Sequence, residues 1–318
     1  MRAFLIRRLL SIIPTLLFAT IIIFVSIRLI PGDVIDLMMS QHDIGDAEVT
    51  RETIQKALGL DKPVHIQYII WVKDIVVHGD LGYSLWDDIP VTEEIGERLP
   101  VTFELGLISL TFALLVAIPV GIYSAVRQDT MGDYVGRTFS ILGMAIPNFW
   151  LGTMVVIYGA VWLDWSPPID LVPFDEDPWS HFQTFFVPGL VLGFALSGVT
   201  MRMTRAMMLE VLRQDYIRTA WAKGLKEKVV ILRHAVKNAL IPVITLIGLY
   251  VPILVGGTVV IEQIFSLPGM GLLLFQAVLQ RDYPIITGFM LVIGLFILLV
   301  NLLVDLSYGY LDPKVRFQ

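Results

Sequence analysis

Six long apolar runs mark this chain: Leu9–Ile30, Val101–Val126, Thr138–Leu163, Thr184–Met201, Ala239–Ile261 and Pro284–Leu306. A helix needs about 20 apolar residues to cross the hydrocarbon layer, so the pattern predicts six transmembrane helices. The fourth run is the shortest and contains Pro188, Gly189 and Gly193. The first exceeds the length of a signal-peptide core and ends in "RLIPGD" without a small-residue cleavage site, which predicts a retained anchor. The fold class expected is an all-α polytopic membrane protein.

Between the runs the pattern changes. Residues 31–100 form a long mixed segment with a short helix predicted in "DAEVTRETIQKALGL", followed by the turn-rich "HGDLGYSLW". Residues 202–237 are different again. The apolar set Met208, Leu212, Tyr216 and Ala220 repeats every four positions, which predicts one helix running to Lys223. Gly224 then permits a sharp turn, and a second amphipathic stretch runs from Glu227 to Lys237.

Composition agrees with a membrane location. Hydrophobic residues make up 56% and charged residues 16% of the chain, well below the usual charged quarter of a soluble domain. The charge is segregated. With the N-terminus inside, the inner segments hold sixteen lysines and arginines and the outer segments six. The excess predicts both termini on the cytoplasmic side. There is no cysteine, so neither a disulfide framework nor a thiolate metal site is available.

Chemistry is sparse. The chain has no phosphate-cradling G-x-x-x-x-G-K-[ST], no H-E-x-x-H and no G-x-S-x-G, and its five histidines are scattered. The spans carry few ionisable groups, and Arg28, Glu104, Glu262 and Asp305 all read as interfacial. The energy for any transport must therefore come from elsewhere. The 202–237 unit is shaped either to enter a groove in another protein, with Tyr216, Ala220, Trp221 and Leu225 as anchors, or to lie on the inner leaflet. Physical chemistry alone leaves both open.

The motifs narrow the choice. "YIRTAWAKGL…LRHAVKNALIPVIT" strongly resembles the cytoplasmic signature of the permease subunits of ABC importers in the peptide/nickel group. "RLIPGD", "HGDLGYSL", "AIPNFWLG" and "EQIFSLPGMGLLLFQAVLQRDYP" resemble the same group in the same order, and the long first outer loop resembles its B-type member. The resemblance implies a type I importer permease fold in the plasma (inner) membrane, carrying peptides, with nickel complexes, glutathione and oligosaccharides as the other cargoes of that group; a self-sufficient secondary carrier or channel is the competing reading. The importer's partners would be a second homologous permease, two ATPase subunits that bind ATP and Mg, an extracytoplasmic solute-binding protein, and membrane lipid; no nucleic acid is involved. The implied organisation is an anchor helix over 1–30, an extracytoplasmic region over 31–100, a five-helix core over 101–308 with coupling helices at about 205–237, and a tail over 309–318.

This chain would be non-catalytic and hold no cofactor of its own. Asp215, Tyr216, Ala220, Lys223, Gly224 and Arg233 would couple it to the ATPase, with Ala220 kept small for close approach to that partner. Irregular helix is tolerated where a water-filled cavity or protein satisfies the freed backbone. On that ground Pro147, Asn148, Gly193, Ser197, Pro252 and Gly256 are pore candidates, with helix packing as the competing role for such residues. The acids of the outer loops, among them Asp87, Asp88, Asp175 and Glu176, would steer a basic binding-protein surface.

Overall fold

The computed structural model describes residues 2–29, 55, 61–168 and 170–311. In chain order the helices are α1 (Arg2–Arg28), α2 (Val64–Lys73), α3 (Val91–Val126), α4 (Met131–Ala145), α5 (Asn148–Leu163), α6 (Pro178–Leu212), α7 (Asp215–Ala222), α8 (Val236–Phe265), α9 (Met270–Gln280) and α10 (Tyr283–Leu311). A wider π-wound turn, Asp74–His78, extends α2, and another, Val230–Ala235, leads from Glu227–Val229 into α8. Among the described residues, extended pairing is limited to one bridge between Tyr83 and Pro90. The helix expected within 46–60 lies outside the described residues.

Among the described residues, four helices are long and apolar enough to cross a membrane, and two sharply bent pairs bring the number to six if each is one span; α1, expected to span, is not among them, its apolar part Leu10–Ser26 being shorter. The expected single span Thr138–Leu163 is one of these pairs: α4 and α5 meet at 98°. Pro147 causes the break, because its ring pushes Ile146 out of the helical region, to ψ 119°. The second pair was not foreseen. After Phe265, Ser266 adopts φ +54°, and α9 leaves at 92° to the last turns of α8. The fourth run is embedded in α6, a 35-residue helix. Asp177 starts it, accepting bonds from the N–H groups of Trp179 and Ser180 with Pro178 at the first helical position.

The chain divides into two compact units. The first comprises Met1–Phe4, Pro100–Leu272 and Leu299–Gln318. Its centre is α6, whose apolar window is 67% buried, against 28% or less for the other three long helices. Phe185, Leu192 and Leu196 of α6 pack with Leu105, Ile261 and Phe265 in one core. Small residues set the spacing of α6 against its neighbours. A Cβ on Gly193 would sit 2.5 Å from the Ser109 carbonyl, and one on Gly198 would sit 2.7 Å from the Ser140 carbonyl.

The second unit comprises Leu5–Leu99 and Leu273–Leu298. Here two separated motifs, "GYSL" and "RDYP", meet. Buried Asp282 accepts bonds from the Ser84 hydroxyl at 2.7 Å, from Leu85 N–H at 3.0 Å and from Ile285 N–H at 3.3 Å. The Trp86 indole donates to the Gln280 carbonyl at 3.0 Å. Burial pushes the Asp282 carboxyl above the usual range despite these donors.

Candidate functional site

The 202–237 segment is built differently from the predicted single helix to Lys223. Residues 202–212 complete α6; Arg213 and Gln214 then turn the chain, and α7 begins at Asp215. Neither glycine nor proline marks this turn. Tertiary packing explains it: folding back places Ile217 and Ala220 of α7 on Met208 of α6, and a straight continuation would carry both out into solvent. Ala125, Val230, Ala235 and Ala239 complete the buried cluster. The inward-facing residue is thus Ile217, while Tyr216 is 43% exposed.

This geometry corrects the role expected for Ala220. It is buried within its own chain, so its small size serves the seating of α7 on α6 and the 230–239 segment, and it presents no surface to a partner. Tyr216, Trp221 and Leu225 are exposed as expected of anchors, and Val229 and Leu232 are exposed as well. The Asn238 side-chain amide donates to the Tyr216 hydroxyl at 2.8 Å and orients that ring. Asp215, Lys223, Gly224 and Arg233 are all exposed. The Asp215–Arg218 pair at 3.5 Å is solvent-exposed and contributes little to stability.

Gly224 forms the corner by a Schellman closure. It adopts φ +73°, its N–H donates to the Trp221 carbonyl at 2.9 Å, and Leu225 N–H reaches back to Ala220 at 3.4 Å. Nothing lies within 4 Å of where a Cβ would stand, so the requirement for glycine here is purely conformational.

Above this seat lies an ionic cluster. Arg205 of α6 grips the fully buried Asp133 of α4 with two bonds, 2.8 and 2.9 Å. Asp133 also accepts from the Ser124 hydroxyl of α3 and from the Asp129 N–H. Further along, the Ser140 hydroxyl donates to the Gly198 carbonyl at 2.7 Å, and Gly136 and Gly143 face Met201 and the Phe194 carbonyl. α4 and α6 are therefore tied along their length, from the ionic cluster to the break at Pro147.

The six pore candidates fall into separate environments. Pro147 is exposed at the α4–α5 break; beside it the Asn148 side-chain oxygen is shielded from solvent and has no hydrogen-bond partner. Gly193 and Ser197 are packed in the first unit, and the Ser197 hydroxyl donates to its own helix at Phe194. Pro252 is half-buried, whereas Gly256 is exposed with open space around it.

Glu262, expected at an interface, has a different role. It is fully buried: one carboxylate oxygen accepts from the Thr102 hydroxyl at 2.6 Å and the other from Leu272 N–H at 2.9 Å. The Thr102 oxygen in turn accepts from Met270 N–H at 2.8 Å. Glu262 thus holds the α8–α9 corner to α3 and does not sit at a headgroup. The signal was present in "EQIFSLPGMG": an acid seven and nine residues before two glycines that leave it room.

Comparison with known proteins agrees with this architecture. The model of the family described as binding-protein-dependent transport system inner membrane component matches residues 117–317, and that of its N-terminal membrane component matches 1–106. The oligopeptide transport system permease protein AppB of Bacillus subtilis is 41% identical over 322 residues, covering both chains completely. The glutathione transport system permease protein GsiC of Pectobacterium atrosepticum is 40% identical over 313 residues, covering 98% of each. Among solved structures, a chain of the inward-facing MetNI methionine ABC transporter shares the fold at 16% identity, with a TM-score of 0.55 over 69% of this chain and 96% of that one. Helices fit to cross a membrane, a type I permease core and two matching family models place the chain in a family: it belongs to the inner-membrane permease components of binding-protein-dependent ABC transport systems.

Proposed function

We propose that this chain is the B-type permease of an ATP-driven peptide importer, forming half of a translocation pore with a second homologous permease. Two ATPase subunits bind ATP and Mg on the cytoplasmic side, and an extracytoplasmic solute-binding protein delivers the cargo. The chain itself contributes no catalytic group. Both termini face the cytoplasm, in keeping with the sixteen-to-six excess of basic residues in the inner segments. Peptides are the cargo class because oligopeptide and glutathione permeases are similar over essentially the whole chain.

The observation that carries this reading is α7 itself. It is a short helix seated on its own chain by Ile217 and Ala220, with Tyr216, Trp221 and Leu225 exposed and with exposed charges at Asp215, Lys223 and Arg233. A half-exposed aromatic and aliphatic patch of this kind fits a protein groove, with Asp215, Lys223 and Arg233 at its rim. Nucleotide-driven closure of the ATPases shifts the permease only through contacts that differ between the two states. Displacement of α7 passes to α6 through the Met208–Ile217–Ala220 cluster. It continues to α4 through Asp133–Arg205 and the Ser140–Gly198 seam. It emerges at the Pro147 break, where movement would uncover the shielded, unpaired Asn148 side-chain oxygen as an acceptor for a passing peptide. The acids of the outer loops face the binding protein.

Co-purification in mild detergent tests the proposal. The wild-type complex is expected to retain ATPase subunits and a second permease, and to import a labelled dipeptide into proteoliposomes only with ATP and the binding protein. Trp221→Asp is expected to shed the ATPases while its own unfolding temperature stays unchanged. Peptide uptake by the purified chain alone, without ATP, would overturn the assignment.

A further inference from the structure

Within the second unit, α2 is joined to α1 by an aromatic clamp. Phe24, buried near the C-terminal end of α1, receives Tyr68 edge-on at 5.2 Å and Trp71 at 5.6 Å between ring centres. The hydroxyls of Thr20 and Tyr68 lie 3.0 Å apart. Tyr68 and Trp71, three residues apart, therefore mark the inward face of α2. Helical spacing puts Ile66, Ile69 and Ile70 on the other side. All three are exposed, Ile69 by 61%, and no residue of α2 is buried. The π-wound turn adds Val76 and Val77, 77% and 64% exposed.

With Val64 also exposed, six exposed aliphatic side chains on a fifteen-residue element is a poor arrangement in water. A helix that is apolar on both faces needs apolar surroundings on both. Fifteen residues rise about 22 Å, short of the ~30 Å hydrocarbon layer, so the element cannot cross. Its polar groups sit where an interfacial helix carries them. Asp61 and Lys62 precede it, and His78 closes it before Gly79 turns the chain at φ +66°. Lys73 stands on the exposed side, where its long stem can lie along apolar surface with the ammonium in the headgroups. Tyr and Trp at the clamp suit the same depth.

Continuity identifies the occupant. The exposed face of α1 is apolar along its described length, through Leu10, Leu17, Phe18, Ile22 and Val25 to Leu29, as suits a helix set in lipid. α2 packs on α1 at Thr20 and Phe24, next to the exposed Ile21, Ile22 and Val25 of that apolar helix. We propose that α2 and its π-wound turn form a membrane-surface helix, lying in the interfacial layer of the leaflet at the C-terminal end of α1. Ile66, Ile69, Ile70, Val76 and Val77 contact phospholipid, and the Phe24–Tyr68–Trp71 clamp fixes the depth of α1 through this float. The assignment is independent of cargo and of ATPase coupling.

The chain has no cysteine, so single thiols report cleanly. Ile69→Cys, Val76→Cys and, as a water-exposed reference, Asp87→Cys would each be labelled with an environment-sensitive fluorophore in the full-length protein. The protein would be reconstituted in nanodiscs of phosphatidylethanolamine and phosphatidylglycerol. The first two are expected to give blue-shifted emission and resist iodide. They should be quenched more by phospholipid carrying a nitroxide near the head of its acyl chain than near its end. Asp87→Cys should show the reverse, with free access to iodide. Emission from positions 69 and 76 that matches position 87 would overturn the proposal by showing a water-facing helix. Shielding from iodide without quenching by either lipid would overturn it equally, since protein, either residues 30–60 of this chain or the second permease, would then cover the face.

Discussion

Glu262 gives the sharpest test of the core. Its two oxygens take separate donors: the Thr102 hydroxyl on one side, and on the other the backbone of Leu272, with Gly271 and Thr258 also donating. Glu262→Gln conserves the shape and one acceptor oxygen but points an NH2 group at a donor. Whichever way the amide is turned, at least one buried donor loses its partner, at about 1–3 kcal/mol. With roughly 2–4 °C of unfolding temperature per kcal/mol, a central loss near 2 kcal/mol lowers the midpoint by about 4–8 °C. Seven tryptophans supply the signal for thermal unfolding of the detergent-solubilised protein. Gly271→Ala attacks the same corner independently. Its Cβ would stand 2.5 Å from the backbone Cα of Val259, which cannot step aside as a side chain can. Overpacking of that kind costs about 1–3 kcal/mol. A double-mutant cycle of Thr102→Val with Glu262→Gln should show coupling of about 0.5 kcal/mol or more, because the two share one bond. Midpoints unchanged in both Glu262→Gln and Gly271→Ala would show that the carboxylate does not hold the α8–α9 corner.

Three further outcomes are expected. Gly224→Val forces a branched residue to φ +73°, at about 1–3 kcal/mol; it should abolish ATP-driven uptake with the protein still in the membrane, while Gly224→Asn, which tolerates this conformation, should keep most of it. Arg205→Leu removes both short bonds to buried Asp133 and leaves Arg137, at 3.3 Å, as its remaining counter-charge, a loss of about 1–3 kcal/mol by thermal unfolding, whereas Asp133→Leu with Arg205→Leu should recover part of the difference. Asn148→Cys, the only thiol in its variant, should react with a water-soluble probe at a rate that ATP changes, and complete inertness would remove it from the pore.

Each of these residues was visible in the sequence to a different degree, for physical reasons. The membrane class was fully legible, because apolar length and segregated charge are one-dimensional properties. Gly224 was legible too, since a left-handed corner calls for glycine wherever it occurs, and the structure puts φ +73° there. Pro147 was noticed as irregular, yet its consequence was not: two helices at 98° look in sequence like one long apolar run. The end of α6 at Leu212 could not be read at all. Periodicity from Met208 to Ala220 is the same whether the helix continues or folds back, and only the gain from seating Ile217 and Ala220 on Met208 decides between them. That choice also removed Ala220 from the outward surface while leaving Tyr216, Trp221 and Leu225 exposed as expected. Glu262 illustrates the opposite error. An isolated acid beside an apolar run reads as interfacial because its partner Thr102 lies 160 residues away, and the Ser84 that binds buried Asp282 is 198 residues away. Long-range donors convert an expensive buried charge into a fastener, and no local window contains them. In this chain, then, the turns and membrane face belong to local chemistry, whereas the residues that tie one helix to another emerge only when distant segments meet.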